Sequence, residues 1–177
     1  NDVLDGGSGA DDLRGGDGND RYIVDNVNDT ITEESSEGTD IAWSTASTFT
    51  LDDNVENLLL RGSSDIDGVG NNLANSIRGN SGANTLTGNG GHDILNGGSG
   101  ADDLRGGDGN DLLGGGSGDD ILNGGGDTDT AFFSNVANQV DLRITVSQDT
   151  GDGNDTLTSI ENVNAGGGDD TVYGNSE

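Results

Sequence analysis

Aspartates that recur every nine residues are the side chains of this sequence with the clearest chemical potential. Between residues 88 and 132 an Asp occupies the sixth place of each nine-residue unit, as in GGSGADDLR (97–105) and GGDGNDLLG (106–114). If two units make one coil, Asp93 and Asp111 lie one above the other at the strand spacing of about 4.8 Å, where bare carboxylates repel. Ca²⁺ accepts flexible shells of carboxylate and carbonyl oxygen, whereas Mg²⁺ demands a compact octahedron. The spacing therefore predicts rows of calcium ions.

The unit that positions these aspartates reads G-G-x-G-x-D-x-U-x, where U is a large aliphatic residue. It occurs at 6–23, in seven consecutive copies at 70–132, and singly at 150–158 and 165–173. Glycines at the first, second and fourth places permit positive φ in a turn where a side chain would get in the way, and x-U-x predicts a short strand with U pointing inward. Two units, eighteen residues, then form one coil of a β-solenoid. The predicted inward ladders are Leu13, Tyr22, Ile77, Leu86, Leu95, Leu104, Leu113 and Leu122.

Composition supports a fold that depends on metal. The chain has 177 residues, a formal net charge of -28, 28% hydrophobic residues and no cysteine. Chains of this kind fail to offset their own conformational entropy, and no disulfide or thiolate zinc site can help. The negative field disfavours nucleic acid and anionic membranes, and no apolar run is long enough to cross a bilayer. Neither end carries a targeting signal or an anchor, so we expect a fragment or a processed piece.

The units resemble the hemolysin-type calcium-binding repeats of RTX (repeats-in-toxin) proteins, whose nonapeptide is a calcium-binding solenoid signature. The resemblance implies an all-β, right-handed parallel β-roll. It also implies that Ca²⁺ is held between turns two units apart, by sixth-place carboxylates and turn carbonyls. The facing pairs carried over to this sequence are Asp2 with Asp20, Asp93 with Asp111, Asp111 with Asp129, and Asp102 with Asp120.

The resemblance therefore implies metal ligands at two sets of positions. The carboxylate ligands are Asp2, Asp11, Asp20, Asp93, Asp102, Asp111, Asp120, Asp129, Asp155 and Asp170. The turn positions are Gly7, Gly9, Gly16, Gly18, Gly98, Gly100, Gly107, Gly109, Gly116 and Gly118. Asn75 and Asn84 replace the Asp in two units, which predicts weak or absent sites there. Asp127 replaces the fourth-place Gly of GGGDTDTAF (124–132), so the pattern leaves the geometry of that turn open.

The segments between the runs lack the glycine turn but keep strand-like patterns. We expect four parts: a first calcium-binding run (1–23), wider metal-free solenoid coils (24–69), the main calcium-binding run (70–132), and C-terminal coils with two further units (133–177). The expected core of the second part is Ile31, Ile41, Phe49, Leu51, Val55, Leu58 and Leu60. A separate small β-domain is the alternative for residues 24–69.

No arrangement of residues predicts catalysis. His92 stands at a variable, solvated repeat place, and no Ser lies in a G-x-S-x-G nucleophile elbow. Trp43 is expected in the core or on a half-buried face, with a carbohydrate or partner surface as the alternative. The predicted role is a calcium-dependent folding module of a secreted bacterial RTX protein, exported unfolded by a type I channel and folding in extracellular calcium. Its expected partners are calcium ions and an attached passenger domain.

Self-assembly is the second hypothesis. The sequence ends at the third and fourth repeat places (Ser176, Glu177) and begins at the fifth and sixth (Asn1, Asp2), so one copy could continue the next in register. Open strand edges favour such pairing. A head-to-tail filament, an adhesin stalk or a surface layer outside the cell or on its surface would follow.

Overall fold

Parallel strands stack into one long solenoid in the computed structural model, which describes residues 1–134 and 136–175. Within these residues there is no helix, and hence none that could span a membrane. The strands are β1 Val3–Asp5, β2 Asp12–Leu13, β3 Arg21–Val24, β4 Thr30–Ile31, β5 Ile41–Ser44, β6 Thr48–Thr50, β7 Asn57–Leu60, β8 Asp67–Val69, β9 Ser76–Arg78, β10 Thr85–Gly90, β11 Ile94–Ser99, β12 Asp103–Asp108, β13 Leu112–Ser117, β14 Ile121–Gly126, β15 Thr130–Phe132, β16 Gln139–Asp141, β17 Gln148–Asp149, β18 Asn154–Thr158, β19 Asn162–Asn164 and β20 Thr171–Tyr173.

Two large sheets carry the solenoid through the described residues. One has the order β1-β3-β5-β7-β9-β11-β13-β15-β19, and the other has the order β17-β18-β14-β12-β10-β8-β6. Two small pairs, β2-β4 and β16-β20, complete the set. Neighbours are parallel except β17 and β18. From β5 to β15 the chain alternates strictly between the two large sheets, as expected for a solenoid.

The register confirms that two nonapeptides make one coil. Leu95 of β11 pairs with Leu113 of β13, and Leu104 of β12 lies between Leu86 and Leu122 in the other sheet. Every predicted member of the inward ladders is buried. These side chains join the buried residues of the other coils in one continuous hydrophobic core.

Residues 24–69 continue the same sheets, because β5 pairs with β3 and β7 pairs with both β5 and β9. The spacing of equivalent positions is irregular: 20 residues from Asp20 to Asp40, then 16 to Glu56 and 19 to Asn75. Variable turn lengths are tolerated because loops outside the core can lengthen at small cost.

The core of these irregular coils was predicted correctly except at Ile41. Ile31, Phe49, Leu51, Val55, Leu58 and Leu60 are buried. Ile41 is half-buried, whereas Ala42 and Ser44 on either side of Trp43 point inward and are fully buried. The prediction for Ile41 is wrong because the side chains of a strand alternate, and the register of β5 against β3 places Ala42 over the inward Tyr22.

Candidate metal sites

The turns between the strands have the backbone shape that the glycine pattern predicts at the second and fourth places. Every turn glycine named above has positive φ. Neighbouring coils also approach closely at these turns: a Cβ on Gly109, with φ +126°, would lie 1.7 Å from the carbonyl oxygen of Gly91 in the preceding coil. Asp127 occupies a fourth place and has φ +69°. The turn therefore keeps the positive φ of the repeat although a side chain replaces the glycine. Successive turns therefore stack closely at the edges of the solenoid.

The first-place glycines provide space for a neighbouring side chain and do not use a positive φ. They are absent from the glycines with positive φ in the described residues. A Cβ on Gly106 would instead lie 2.2 Å from Oδ2 of Asp111 in the same unit. The positive φ that glycine permits is not used at this place, but a side chain would get in the way as expected, because glycine there provides room for the sixth-place carboxylate.

One oxygen of each main-run aspartate joins two coils. The backbone amide of Asp93 donates to Oδ1 of Asp111 at 2.8 Å, and that of Asp111 donates to Oδ1 of Asp129 at 2.8 Å. On the other edge, the amide of Asp102 donates to Oδ1 of Asp120 at 2.8 Å. The amide of Asp2 donates in the same way to Asp20. The structure thus brings together each facing pair carried over from the repeat family.

The second oxygen of these aspartates has no partner. In the described residues, a buried Oδ2 without any hydrogen-bond donor occurs at Asp11, Asp20, Asp93, Asp102, Asp111, Asp120 and Asp129. All of them are predicted sixth-place ligands. Buried polar atoms are nearly always hydrogen-bonded, and an unpaired carboxylate is costly in the interior. These oxygen atoms therefore need either a proton or a cation as a partner.

The two asparagine units provide an internal comparison. Nδ2 of Asn84 donates to the carbonyl oxygen of Ile66 at 2.6 Å, and its Oδ1 accepts from the amide of Asn80 at 2.9 Å. Asn75 is satisfied in the same way, accepting from the amide of Asn71 at 2.8 Å and donating to backbone carbonyls of the preceding coil. Where Asn replaces Asp, protein hydrogen bonds satisfy the side chain and no counter-charge is required.

The raised pKa values of the row aspartates also indicate that their negative charge lacks a counter-charge. Burial raises the pKa of Asp93, Asp102 and Asp129 to about 6, although amide hydrogen bonds to each carboxylate act in the opposite direction. Burial raises the pKa of Asp120 to about 7, with the charge of Asp155 adding to the effect. Without a cation, the buried rows hold their negative charge only with difficulty.

The remaining predicted carboxylates lie in different surroundings. Asp2 and Asp170 are exposed, and Asp170 accepts from the amide of Asn138 at 2.9 Å. Asp155 is buried and accepts from the amide of Asp120 at 2.9 Å, but its Oδ2 already accepts from the hydroxyl of Thr150. The free buried oxygen seen at the other seven predicted aspartates does not recur at these three positions.

Sequence reasoning missed the carboxylates that extend one row through the irregular coils. Oδ1 of Asp40 accepts from the amide of Asp20 at 2.7 Å, and Oε2 of Glu56 accepts from the amide of Asp40 at 2.8 Å. Far along the chain, Oε2 of Glu161 accepts from the amide of Asp129 at 2.8 Å. The signal was the echo between NVENL (54–58) and SIENV (159–163), in which each Glu takes the place of a sixth-place Asp.

A second row, formed by fifth-place side chains, was also missed. Nδ1 of His92 accepts from the amide of Asn110 at 2.8 Å, and Oδ1 of Asn110 accepts from the amide of Thr128 at 3.0 Å. His92 is exposed, as predicted. His92 and Asn110 therefore each accept a backbone hydrogen bond from the next coil, a contact that their variable repeat place did not predict.

Trp43 lies half-buried on the outer side of β5. This agrees with the expectation that it lies in the core or on a half-buried face. The guanidinium carbon of Arg21 lies 4.0 Å from the ring centroid, and that of Arg61 lies 4.5 Å from it. Stacking of the Arg21 and Arg61 guanidinium groups on the indole is favourable, and these two side chains of neighbouring coils cover the ring.

The available donors fit a hard cation, since they are carboxylate and carbonyl oxygens and the chain has no cysteine. A family model described as the RTX calcium-binding nonapeptide repeat (4 copies) matches residues 1–31, 69–104, 96–131 and 160–176. These segments cover more than half of the chain. The search of curated proteins and the search of solved structures each gave no match.

Proposed function

The chain belongs to the RTX calcium-binding nonapeptide repeat family, and from this premise we propose that it is a calcium-dependent folding module of a secreted bacterial protein. The observation that carries the proposal is the contrast within one fold between Asp102, whose buried Oδ2 has no donor, and Asn84, whose amide is fully satisfied. Bound calcium would supply positive charge and coordination to such oxygen atoms.

The protein's own residues account for the calcium dependence. The turn glycines allow the coils to approach, and the sixth-place amides hold one oxygen of each facing aspartate. The other oxygen atoms gather negative charge in the interior, which opposes folding until a cation is present. Metal binding and folding then become one transition, because the site does not exist in the unfolded chain.

This coupling suits secretion. In a cytosol with little free calcium the chain would stay largely unfolded and could pass through a type I export channel. Outside the cell, millimolar calcium would fold it into a stiff solenoid that spaces or supports an attached passenger domain. In this proposal the role is not catalytic, 1–23 and 70–132 are the principal calcium-binding parts, and 24–69 and 133–177 are connecting coils.

Small-angle X-ray scattering tests the proposal directly. With a chelator, general scaling predicts a radius of gyration of about 45 Å for an unfolded chain of this length, against about 16 Å for a compact one. Addition of millimolar calcium is expected to produce a short rod of monomer mass. The double variant Asp111→Asn/Asp120→Asn should require more calcium for the same change. A chain that is equally compact with chelator and with calcium would contradict the proposal.

Self-assembly stays a prediction. Ser176 and Glu177, on which the head-to-tail register depends, lie outside the described residues. Val3 of β1 and Tyr173 of β20 are exposed apolar side chains on strands that could meet another copy. Sedimentation velocity at high protein concentration with calcium would show multiples of the monomer mass if the filament forms. A single monomer peak would exclude it.

A further inference from the structure

The turn that follows the first run carries an unusual glutamate. Leu13 of β2 pairs with Ile31 of β4, which fixes an eighteen-residue phase at this point. Glu33 therefore stands at the first place of the next coil, eighteen residues after Gly15, where a nonapeptide has glycine. The turn is also longer than a repeat turn, since Asp40 follows Asp20 by 20 residues. The longer turn gives a side chain room at a place that elsewhere has none.

Three acidic residues meet at this turn, and all are buried. Asp20 is 1% exposed, Glu33 6% and Asp40 1%. Each offers a carboxylate oxygen within 4.8 Å of the oxygens of the other two. Neither Oε1 nor Oε2 of Glu33 has a hydrogen-bond partner, although nine-tenths of the residue is buried. The neighbouring Glu34 is exposed, so the burial of Glu33 is specific to its position.

The contacts of Asp20 indicate which of its oxygen atoms faces the cluster. Oδ1 of Asp20 accepts a hydrogen bond from the amide of Asp2 and lies 3.2 Å from the amino nitrogen of Asn1, both in the first coil. Oδ2 is buried and unpartnered. Both this atom and the buried, unpartnered hydroxyl of Tyr22 lie 2.2 Å from the position of a Cβ on Gly15, so they face the same small space.

The backbone of the longer turn retains the close packing of the repeat. A Cβ on Gly38 would lie 1.9 Å from the carbonyl oxygen of Gly18, as close as the fourth-place glycines of the main run come to their neighbours. The amide of Gly18 donates to the carbonyl oxygen of Glu37 at 2.6 Å. The two turns are thus held together around the three carboxylates.

We propose that Asp20, Glu33 and Asp40 form a further calcium site, distinct from the nonapeptide sites because a glutamate side chain replaces a glycine of the turn. The amino group of Asn1 on Oδ1 of Asp20 supplies one positive charge against three carboxylates. A cluster with this excess of negative charge, and without sulfur or imidazole, matches a hard divalent cation. The site joins the first run to the coils at 24–69, which are then not free of metal as the sequence suggested. The choice of calcium as the cation rests on the proposed function, whereas the location of the site rests on these three residues alone.

Counting bound ions tests the site. The full chain, stripped of metal and then equilibrated with calcium, is dialysed, and calcium per chain is measured by elemental analysis. Glu33→Gln is expected to bind one ion fewer than the wild type, because it keeps the size of the side chain but removes its charge. The matched control Glu34→Gln makes the same change at the exposed neighbour and is expected to bind the wild-type number.

The outcomes separate this inference from the proposed function. A wild type that binds calcium, with the same number in Glu33→Gln, would overturn the further site and leave the nonapeptide sites standing. A wild type that binds no calcium would overturn both. Far-UV circular dichroism with calcium checks that Glu33→Gln folds. If it does not, Glu33→Asp, which keeps the carboxylate, is expected to weaken the affinity of one ion by about tenfold or more; unchanged affinity of every ion would contradict the site.

Discussion

Acidification should fold the metal-free chain. Burial raises the pKa of Asp93, Asp102, Asp120 and Asp129 above the ordinary value of 3.8. When the folded pKa lies above the unfolded one, the stability contributed by the group is fully present below the unfolded pKa and is lost as the pH rises through the folded pKa. For these groups that window runs from 3.8 up to about 6 or 7.

The expected effect is large enough to decide whether the chain folds. At about 1.4 kcal/mol for each pH unit, a pKa raised from 3.8 to about 6 is equivalent to about 3 kcal/mol. Allowing for solvent screening leaves about half of that for each group. The four aspartates together then remove about 6 kcal/mol between acid and neutral pH, which is comparable to the whole stability of an ordinary domain.

Circular dichroism and scattering in the presence of a chelator measure this effect. We expect strand content and compactness at about pH 5, and their loss by about pH 7.5, with calcium restoring both at the higher pH. Sodium chloride at the higher pH is the control, because salt screens exposed charges but not buried ones. A metal-free chain that is equally folded or more folded at the higher pH would refute the reasoning, and folding by salt alone would assign the effect to surface repulsion.

Substitutions in the turns should change ion binding in both directions. Asp120→Asn is expected to lose at least one calcium ion per chain, whereas Asp108→Asn, the same change at an exposed third place, should lose none. Asn84→Asp should gain a calcium ion while destabilising the chain in chelator, and calorimetry with an unchanged ion count would contradict this. Gly109→Ala should destabilise the calcium-bound fold by more than about 1 kcal/mol in urea titrations, because the new Cβ meets the carbonyl oxygen of Gly91; an unchanged midpoint would show that the turn can relax.

Much of the main run could be predicted because each repeat place has a local physical requirement. Leu95 and Leu113 had to point inward once two units were taken as one coil, and Asp93 and Asp111 had to face each other. The irregular coils were harder. Ile41 was placed inward from its apolar character alone, but the register of β5 against β3 selects Ala42 and Ser44.

The candidate site shows the same division. Sixth-place aspartates could be predicted, but the sequence does not tell which of their oxygen atoms stays free. That depends on the amide of the preceding coil, which occupies Oδ1 and leaves Oδ2 buried. The difference between Asp155, satisfied by Thr150, and Asp120, with a free oxygen, arises from contacts that no repeat position records.

The sequence by itself determined the period, the solenoid and the calcium chemistry, because nine-residue spacing, glycine turns and aspartate rows are written into consecutive residues. The echo of NVENL and SIENV hinted at Glu56 and Glu161, but only the tertiary structure decided that one row continues through Asp40 to these glutamates, and that Glu33 lies buried beside Asp20. Those contacts join residues 13 to 32 positions apart, across turns of unequal length. Their partners are set by how the coils stack, since coil length varies outside the repeats and a spacing rule no longer identifies the residue above.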